Sequence, residues 1–159
     1  VIIPGENARE LPYWPRFGLR SFLAKQTQPI EYFGYGEGES YIDKHHATQL
    51  GPYTTTAVQN HVDYLKPQEN GSHFGCHYVK TQNMLISSDR GFSFNISPYM
   101  QEELTEKTHA YQLVASSYDI LCIDYKMSGI GSNSCGPSLK NKYRLNDSTF
   151  SCRFVIEFC

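Results

Sequence analysis

Five glutamates are candidates for hydrolytic chemistry: Glu37, Glu39, Glu69, Glu102 and Glu103. Cleavage of a glycosidic bond usually needs two carboxyl groups about 5 to 10 Å apart, one on each side of the bond. Glu102 and Glu103 are adjacent in a predicted helix and point about 100° apart, so they cannot converge on one bond. The sequence also contains no Gly-x-Ser-x-Gly turn and no persuasive Cys–His dyad. The residues alone therefore predict a chain without a catalytic pair.

Four of the six histidines are concentrated in two short segments, His45–His46 and His73–His77. Neither segment has the Cys-x-x-Cys or His-Glu-x-x-His spacing of a zinc site. Successive side chains of a strand alternate, so His73 and His77 are expected on one face and Cys76 on the other. Surface or packed histidines are therefore favoured over a metal site.

Two glycine-rich segments, Gly34–Glu39 and Gly129–Gly131, invite comparison with phosphate-binding loops. The first places two carboxylates where a pyrophosphate would lie, and the second has Ser134 in place of a third glycine. Such a loop also needs a preceding strand and a following helix. Tight turns explain both segments, and nucleotide binding is disfavoured.

The segment Met127–Pro137 is the best candidate for contact with a ligand. It follows a predicted strand and is rich in glycine and small polar residues, which let a ligand approach the backbone closely. A plain connecting loop is the alternative interpretation.

The composition excludes several classes of function. With 14 basic and 16 acidic residues the formal net charge is −2, which gives no electrostatic footprint for nucleic acid or an anionic membrane. No apolar run approaches the ~18 residues that span a bilayer, and the first residues do not resemble a signal peptide. The five cysteines are odd in number and lack a framework spacing, which favours a reducing, cytoplasmic compartment. Because the chain starts without methionine, we expect it to be part of a longer protein.

The remaining pattern predicts an all-β fold, a β-sandwich with one short helix, and the 12 tyrosines and 9 phenylalanines suit half-buried sheets. Residues 1–14, which prolines interrupt, are predicted to be a linker or an entering strand, and residues 15–159 form one domain. A helical turn is expected at Glu39–Lys44, and a longer helix after an N-cap at Ser97 with Pro98 in its first turn. Strands are expected at Phe17–Leu23, Ile30–Tyr35, Thr54–Tyr64, His73–Lys80, Phe92–Ile96, Asp119–Tyr125 and Ser151–Phe158.

Five motifs occur in the order found in one known family. They are Pro15–Leu19, the stretch from Gly34 to Asp43, the turn Pro67–Gly71, the run Phe92–Tyr99 followed by Leu104 and His109, and the loop from Asp124 to Pro137. Together they resemble the C-terminal small-chain domain of glycoside hydrolase family 2 β-galactosidases over roughly residues 15–140. The resemblance implies that residues 15–159 are the later part of that family's β-supersandwich, without its upstream half.

The resemblance implies a non-catalytic role in a β-galactosidase that hydrolyses terminal β-D-galactosyl residues of lactose-type substrates. The acid and nucleophile glutamates, with magnesium and sodium, are implied to lie in a separate (β/α)8 barrel, so this chain itself carries no catalytic residue and no cofactor. The implied partners are the remainder of the β-galactosidase chain, the galactoside aglycone and further copies of the parent subunit. Neither nucleic acid nor a membrane is among them.

The same resemblance implies a role for the loop around Cys135. In some members of the family the last loop carries a tryptophan that stacks on the leaving group, the aglycone, at the mouth of the active site. Cys135 occupies the matching position, and with Ser134 and Asn133 it forms the predicted substrate-binding rim. A thiol offers a small, soft contact where an aromatic ring offers a flat one, so weaker or altered aglycone selectivity is expected. Two other departures, Glu37 for proline and Lys44 for arginine, bear on packing, because lysine cannot reproduce a bidentate guanidinium pair.

Two other classes of function stay open. A free-standing carbohydrate-binding module would use tyrosines and Trp14 as a platform for sugar rings. A purely structural or interaction β-sandwich would bind no sugar at all.

Overall fold

A computed structural model describes residues 11–131 and 137–159 of the chain. These residues form strands and a single α-helix in the order β1 (Arg16–Leu23), β2 (Ile30–Gly36), β3 (Gln49–Thr55), β4 (Ser72–Lys80), β5 (Met84–Ser97), α1 (Gln101–Glu106), β6 (Asp119–Met127) and β7 (Val155–Phe158). Short 3-10 turns lie at Ala110–Gln112 and Asn141–Tyr143. The prediction of an all-β fold of the sandwich class with one short helix is confirmed.

The strands of the described residues belong to one antiparallel hydrogen-bonded network. Its order is β1-β6-β5-β4-β2-β3, and β7 pairs with β5 outside this path. The 14-residue strand β5 connects the parts of the network. Its first residues, 84–87, pair with β7, whereas its last residues, 93–97, pair with β6. Strand β5 is therefore the element on which most of the others depend.

Alternation along β5 separates an apolar face from a polar one. Phe92, Phe94 and Ile96 point into the core and are at most 3% exposed, and burial of a side chain of this size contributes about 1.5–3 kcal/mol. Asn95 lies on the opposite face and is also buried. Its amide donates a hydrogen bond to the carbonyl of Asn70, so the turn 67–71 covers this polar face.

A β-bulge in β4 overturns the expectation that His73 and His77 share a face. His73 pairs with Phe94 and Cys76 with Phe92, so β4 has one residue more than β5 between the two pairs. Gly75, with φ +66°, accommodates the extra residue. The alternation shifts by one position, which puts His73 and Cys76 together in the core and leaves His77 exposed.

The predicted strand Thr54–Tyr64 is wrong in its position. Strand β3 ends at Thr55, and Asn60 N then donates to Thr56 O (2.9 Å) in a turn. The threonines and valines from Thr54 onward suggested a later strand. Because β3 lies at the edge of the network and pairs only with β2, a proline is tolerated there.

The predicted helix start at Ser97 and the helical turn at Glu39–Lys44 are also wrong. Ser97 is the last residue of β5 and pairs with Ile120, so its backbone is extended, and α1 begins only at Gln101. Its hydroxyl accepts a hydrogen bond from Tyr99 N (3.0 Å) in the connecting turn. Residues 41–44 form a tight turn, closed by two backbone hydrogen bonds of 2.8 and 2.9 Å between Tyr41 and Lys44.

A buried network of hydrogen-bonded side chains connects β2, β4 and the turn after β3 within the core. The amide nitrogen of Asn60 donates to Gly71 O (2.6 Å) and Ile96 O (2.9 Å), so its oxygen faces His73 Nε2 at 2.6 Å. Nε2 therefore donates to Asn60, and in the neutral ring Nδ1 accepts from the Tyr32 hydroxyl (3.1 Å). Nδ1 also lies 3.2 Å from Tyr35 O, a contact that favours the protonated ring, but burial outweighs it. His73 and Tyr32 are each 1% exposed, and burial lowers the pKa of His73 to about 4.

The lowered pKa of His73 makes the unfolding free energy of the chain depend on pH in the acidic range. The His73 imidazole has a pKa of 6.5 in unfolded chains and of about 4 in the folded chain. Between these two pH values the unfolded state therefore binds a proton that the folded state does not. The stabilisation by neutral His73 is thus complete above pH 6.5 and is lost as the pH falls to 4. Between pH 7 and 4.5 we expect wild type to lose about 2 kcal/mol more unfolding free energy than His73→Gln, measured by urea denaturation.

His77→Gln, an exposed change on the same strand, is the matched control and should keep the wild-type pH dependence. An equal pH dependence in His73→Gln and wild type would contradict the assignment.

Candidate functional site

Three of the five sequence motifs meet at the guanidinium of Arg16 on β1. Its Nε donates to Asp124 Oδ1 on β6 (3.1 Å), and its Nη1 donates to Glu69 Oε2 in the turn 67–71 (2.9 Å). Nη2 donates to the second oxygen of Asp124, whose side chain is 3% exposed. Burial and the nearby Asp124 charge raise the pKa of Glu69, and Arg16 opposes the rise. One cation thus holds two carboxylates that the sequence places more than fifty residues apart.

Glu39, from a fourth motif, is bound to the same turn. One of its oxygens accepts a hydrogen bond from Gly71 N (2.9 Å), and the other accepts from Lys44 and Tyr64. Burial by itself would raise the pKa of Glu39, but these three donors hold it below the ordinary value. Glu39 and Glu69 were candidates for hydrolysis, and both instead fix the backbone and charges of this turn.

The last motif, the loop after β6, is held by Asp43. One carboxylate oxygen accepts from Ile130 N (3.2 Å) and the other from Gly131 N (2.9 Å). The backbone of Gly129 lies against the same carboxylate, and a Cβ there would come within 2.7 Å of Asp43 Oδ1. Gly129 N donates to Tyr143 O (2.9 Å). Only glycine leaves room for this approach.

Ser128 fastens the start of the loop to the segment before β1. Its backbone N donates to Pro15 O (2.9 Å) and its hydroxyl donates to Trp14 O (2.6 Å). The same hydroxyl accepts from Leu145 N (2.8 Å), and Trp14 N donates to Leu145 O (3.1 Å). Residues on both sides of the loop are therefore tied to one buried side chain, which is 4% exposed.

The predicted rim residues Asn133, Ser134 and Cys135 lie outside the described residues. The described flanks, Gly131 and Pro137, line a cleft of ≈ 350 Å³ together with Asp43, Lys44, Leu139 and Tyr143. Sequence reasoning missed the roles of Asp43 and Ser128 in fixing this loop. A signal for Asp43 was available, because it belongs to a motif that carried the resemblance.

The remaining carboxylate candidates are engaged elsewhere. Glu102 accepts from Arg20 (2.7 and 2.8 Å) on an exposed surface, and Glu103 accepts from Val114 N (2.9 Å). Glu37 lines a separate open cleft of ≈ 730 Å³ with Glu31, Tyr53 and Tyr78. Glu31, which shares this cleft with Glu37, is paired with Lys80 (3.0 Å) on an exposed surface.

Among the described residues, His73, Cys76 and Cys122 are buried, whereas Cys152 and Cys159 are exposed. His45 Nδ1 donates to Tyr41 O (2.9 Å), and the ring stacks on His46 with a centroid distance of 4.8 Å. Within residues 11–131 and 137–159, no group of three His, Cys, Asp or Glu side chains is placed to hold a metal ion. Burial raises the pKa of the Cys122 thiol to about 12, which keeps it protonated. In the same part of the chain no helix is long and apolar enough to span a membrane.

Arg16→Met tests whether the ion cluster holds the motifs together. It leaves Glu69 and Asp124 without their cation in a largely buried position, for which we expect a loss of about 3–5 kcal/mol in unfolding free energy. The unfolding free energy of Arg16→Lys should lie between those of wild type and Arg16→Met, because an ammonium group cannot reproduce the bidentate contact with Asp124.

Arg20→Met, on the same strand, removes an exposed ion pair with Glu102 and should cost less than about 1 kcal/mol. Urea denaturation of the variants gives the comparison. Similar small losses for Arg16→Met and Arg20→Met would show that the cluster is not a structural centre.

Comparison with known proteins agrees with the resemblance read from the motifs. A family model described as "Beta galactosidase small chain" matches residues 3–156. A β-galactosidase of Actinobacillus pleuropneumoniae is 66% identical over 149 residues, which cover 94% of this chain and 15% of that protein. β-Galactosidases of Staphylococcus xylosus and Kluyveromyces lactis are 40% and 31% identical, over 96% and 92% of this chain and 16% and 15% of their own lengths. The chain thus spans about one sixth of these relatives, and it belongs to the β-galactosidase small-chain family.

Proposed function

We propose that the chain is a non-catalytic part of a β-galactosidase that hydrolyses terminal β-D-galactosyl residues of lactose-type substrates. The supporting observation is the engagement of its buried carboxylates. Glu39, Glu69 and Asp124 each accept hydrogen bonds from cations or amides of this chain. A glycosidase needs two carboxyl groups with direct access to the scissile bond. The acid and the nucleophile are therefore supplied by the remainder of the enzyme.

In this proposal the chain covers the catalytic barrel, and its loop 127–137 forms part of the rim of the aglycone-binding site. Asn133, Ser134 and Cys135 contact the leaving group. The anchoring of the loop by Asp43 and Ser128 supports the proposal, because a rim contact is useful only when its backbone position is defined.

The remaining partners follow from the same proposal. Magnesium and sodium are bound by the barrel and not by this chain, and parent subunits associate with one another. We place the enzyme in the cytoplasm, which is supported by the thiols of Cys76, Cys122, Cys152 and Cys159, all free among the described residues.

A carbohydrate-binding module is the weaker candidate. Such a module needs an exposed aromatic platform, and Trp14 is half-buried with its ring packed edge-on against Phe17 (6.4 Å between centroids). A galactoside titration of the purified chain separates the two: the module predicts binding, and the rim role predicts none.

Complementation tests whether the catalytic residues lie in the remainder of the enzyme and whether this chain is needed for their activity. A parent enzyme that lacks this segment should be inactive on a chromogenic galactoside, and added wild-type chain should restore hydrolysis. Chain carrying Arg20→Met should restore it equally, because that change leaves the ion cluster and the loop anchors intact. Hydrolysis by the purified chain without any partner would contradict the proposal.

Cys135→Trp in the full-length enzyme tests the rim role. A ring there should stack on a sugar aglycone and improve glucose as an acceptor about 2- to 10-fold, the effect of one aromatic contact. Galactosyl cleavage should not change. Acceptor dependence of transglycosylation and the KM for lactose are the measurements, and Cys152→Trp, an exposed cysteine before β7, is the control. Unchanged acceptor preference in Cys135→Trp would argue against the rim.

A further inference from the structure

We propose that Asp43 is a positioning residue that sets leaving-group selectivity through the backbone of Ile130 and Gly131. The inference rests on the proposed function, because it concerns the loop assigned above to the aglycone rim. It goes beyond that assignment by naming a side chain, 87 and 88 residues away from its two backbone partners, on which the loop depends.

Asp43 is itself held rigidly. It lies inside the turn 41–44, which two backbone hydrogen bonds close, and Tyr41 at the start of that turn is 2% exposed. Lys44, at its end, is bound to Glu39, which in turn holds Gly71. The carboxylate of Asp43 is therefore presented to the loop from a fixed support.

Each backbone N–H group from residue 128 to residue 131 donates a hydrogen bond within the chain. Ser128 and Gly129 are held by backbone carbonyls of Pro15 and Tyr143. At Ile130 and Gly131 the partner is a side chain, and both N–H groups donate to the single carboxylate of Asp43. Gly131 has φ +62°, a conformation typical of backbone concavities that bind anions with successive N–H groups.

The chemistry of the contact explains why Asp43 would act through the loop. Both of its oxygens already accept backbone hydrogen bonds, and Gly129 is packed against the carboxylate. These contacts fill two of the roughly four acceptor positions of the carboxylate. Its removal should disturb the position of the loop and therefore the leaving group, while the galactosyl group, bound elsewhere, is unaffected.

The contact can be broken from either side, which separates positioning from general damage. Asp43→Ala removes the acceptor. Gly129→Ala leaves it in place but brings a methyl group within 2.7 Å of Asp43 Oδ1, so the carboxylate or the loop must move. The two changes should not add, because the overlap caused by Gly129→Ala is with the carboxylate that Asp43→Ala removes.

The experiment uses the full-length enzyme with these single variants, their double variant and Asp43→Asn. Hydrogen exchange at the amides of Ile130 and Gly131 should rise in Asp43→Ala and Gly129→Ala. The KM for glucose as acceptor should rise about ten-fold, the scale on which small misplacements act. The inhibition constant for galactose, which has no leaving group, should stay within about two-fold of wild type.

Asp43→Asn keeps the shape and one acceptor, so it should give a smaller change and remains informative if Asp43→Ala does not fold. Asp147→Ala, which removes an exposed partner of Lys126, is the control and should change neither exchange nor KM.

The outcomes distinguish this inference from the proposed function. If Cys135→Trp alters acceptor preference and the Asp43 and Gly129 variants do not, the positioning role is overturned and the rim role stands. If none of these variants alters acceptor preference, the rim role fails and the positioning role with it. An equal rise in the inhibition constant for galactose and in the KM for glucose would show that Asp43 supports folding in general, and would overturn the inference.

Discussion

The structure depends on one guanidinium that binds a buried carboxylate, Asp124, and a partly buried one, Glu69. Arg16 joins β1 to β6 through Asp124 and to the turn 67–71 through Glu69, so three distant segments share a single charge centre. Unpaired, either carboxylate would face a desolvation cost of several kcal/mol. The planar guanidinium of an arginine can donate to both carboxylates at once and can bind Asp124 through two parallel hydrogen bonds, a geometry that lysine cannot reproduce. This constraint accounts for the recurrence of the three motifs as one unit in space.

Further carboxylate contacts connect this centre to the loop after β6. The turn 67–71 binds Glu39 through Gly71 N, Glu39 binds Lys44, and the turn that contains Lys44 presents Asp43 to the loop after β6. Acidic residues here hold backbone amides and cations in place. In this way Glu39, Glu69 and Asp124 each bind a partner within the chain.

The sequence predicted the class of fold and most strands because alternation of apolar residues directly reflects burial on one face, as at Phe92, Phe94 and Ile96. It could not predict the bulge at Gly75, since one inserted residue leaves the local pattern almost unchanged and is defined only against β5. Propensity also misplaced β3, whose Pro52 is acceptable only at an edge. The motifs carried the family resemblance, yet the contacts between them, such as Asp43 with Gly131, depend on long-range packing. The predicted residues Asn133, Ser134 and Cys135 fall outside the described part of the chain.

A loop of glycine and small polar residues has little side-chain surface with which to pack, so its position must be defined through its backbone. Asp43, Ser128 and Tyr143 do this from three directions, and each acts at the flank of the loop. With the flanks held by a rigid sheet, the residues between them are free to differ without loss of fold. If this loop forms the proposed rim, a change of side chain there would alter the contacts of the leaving group while the Arg16 cluster and the core remain as they are.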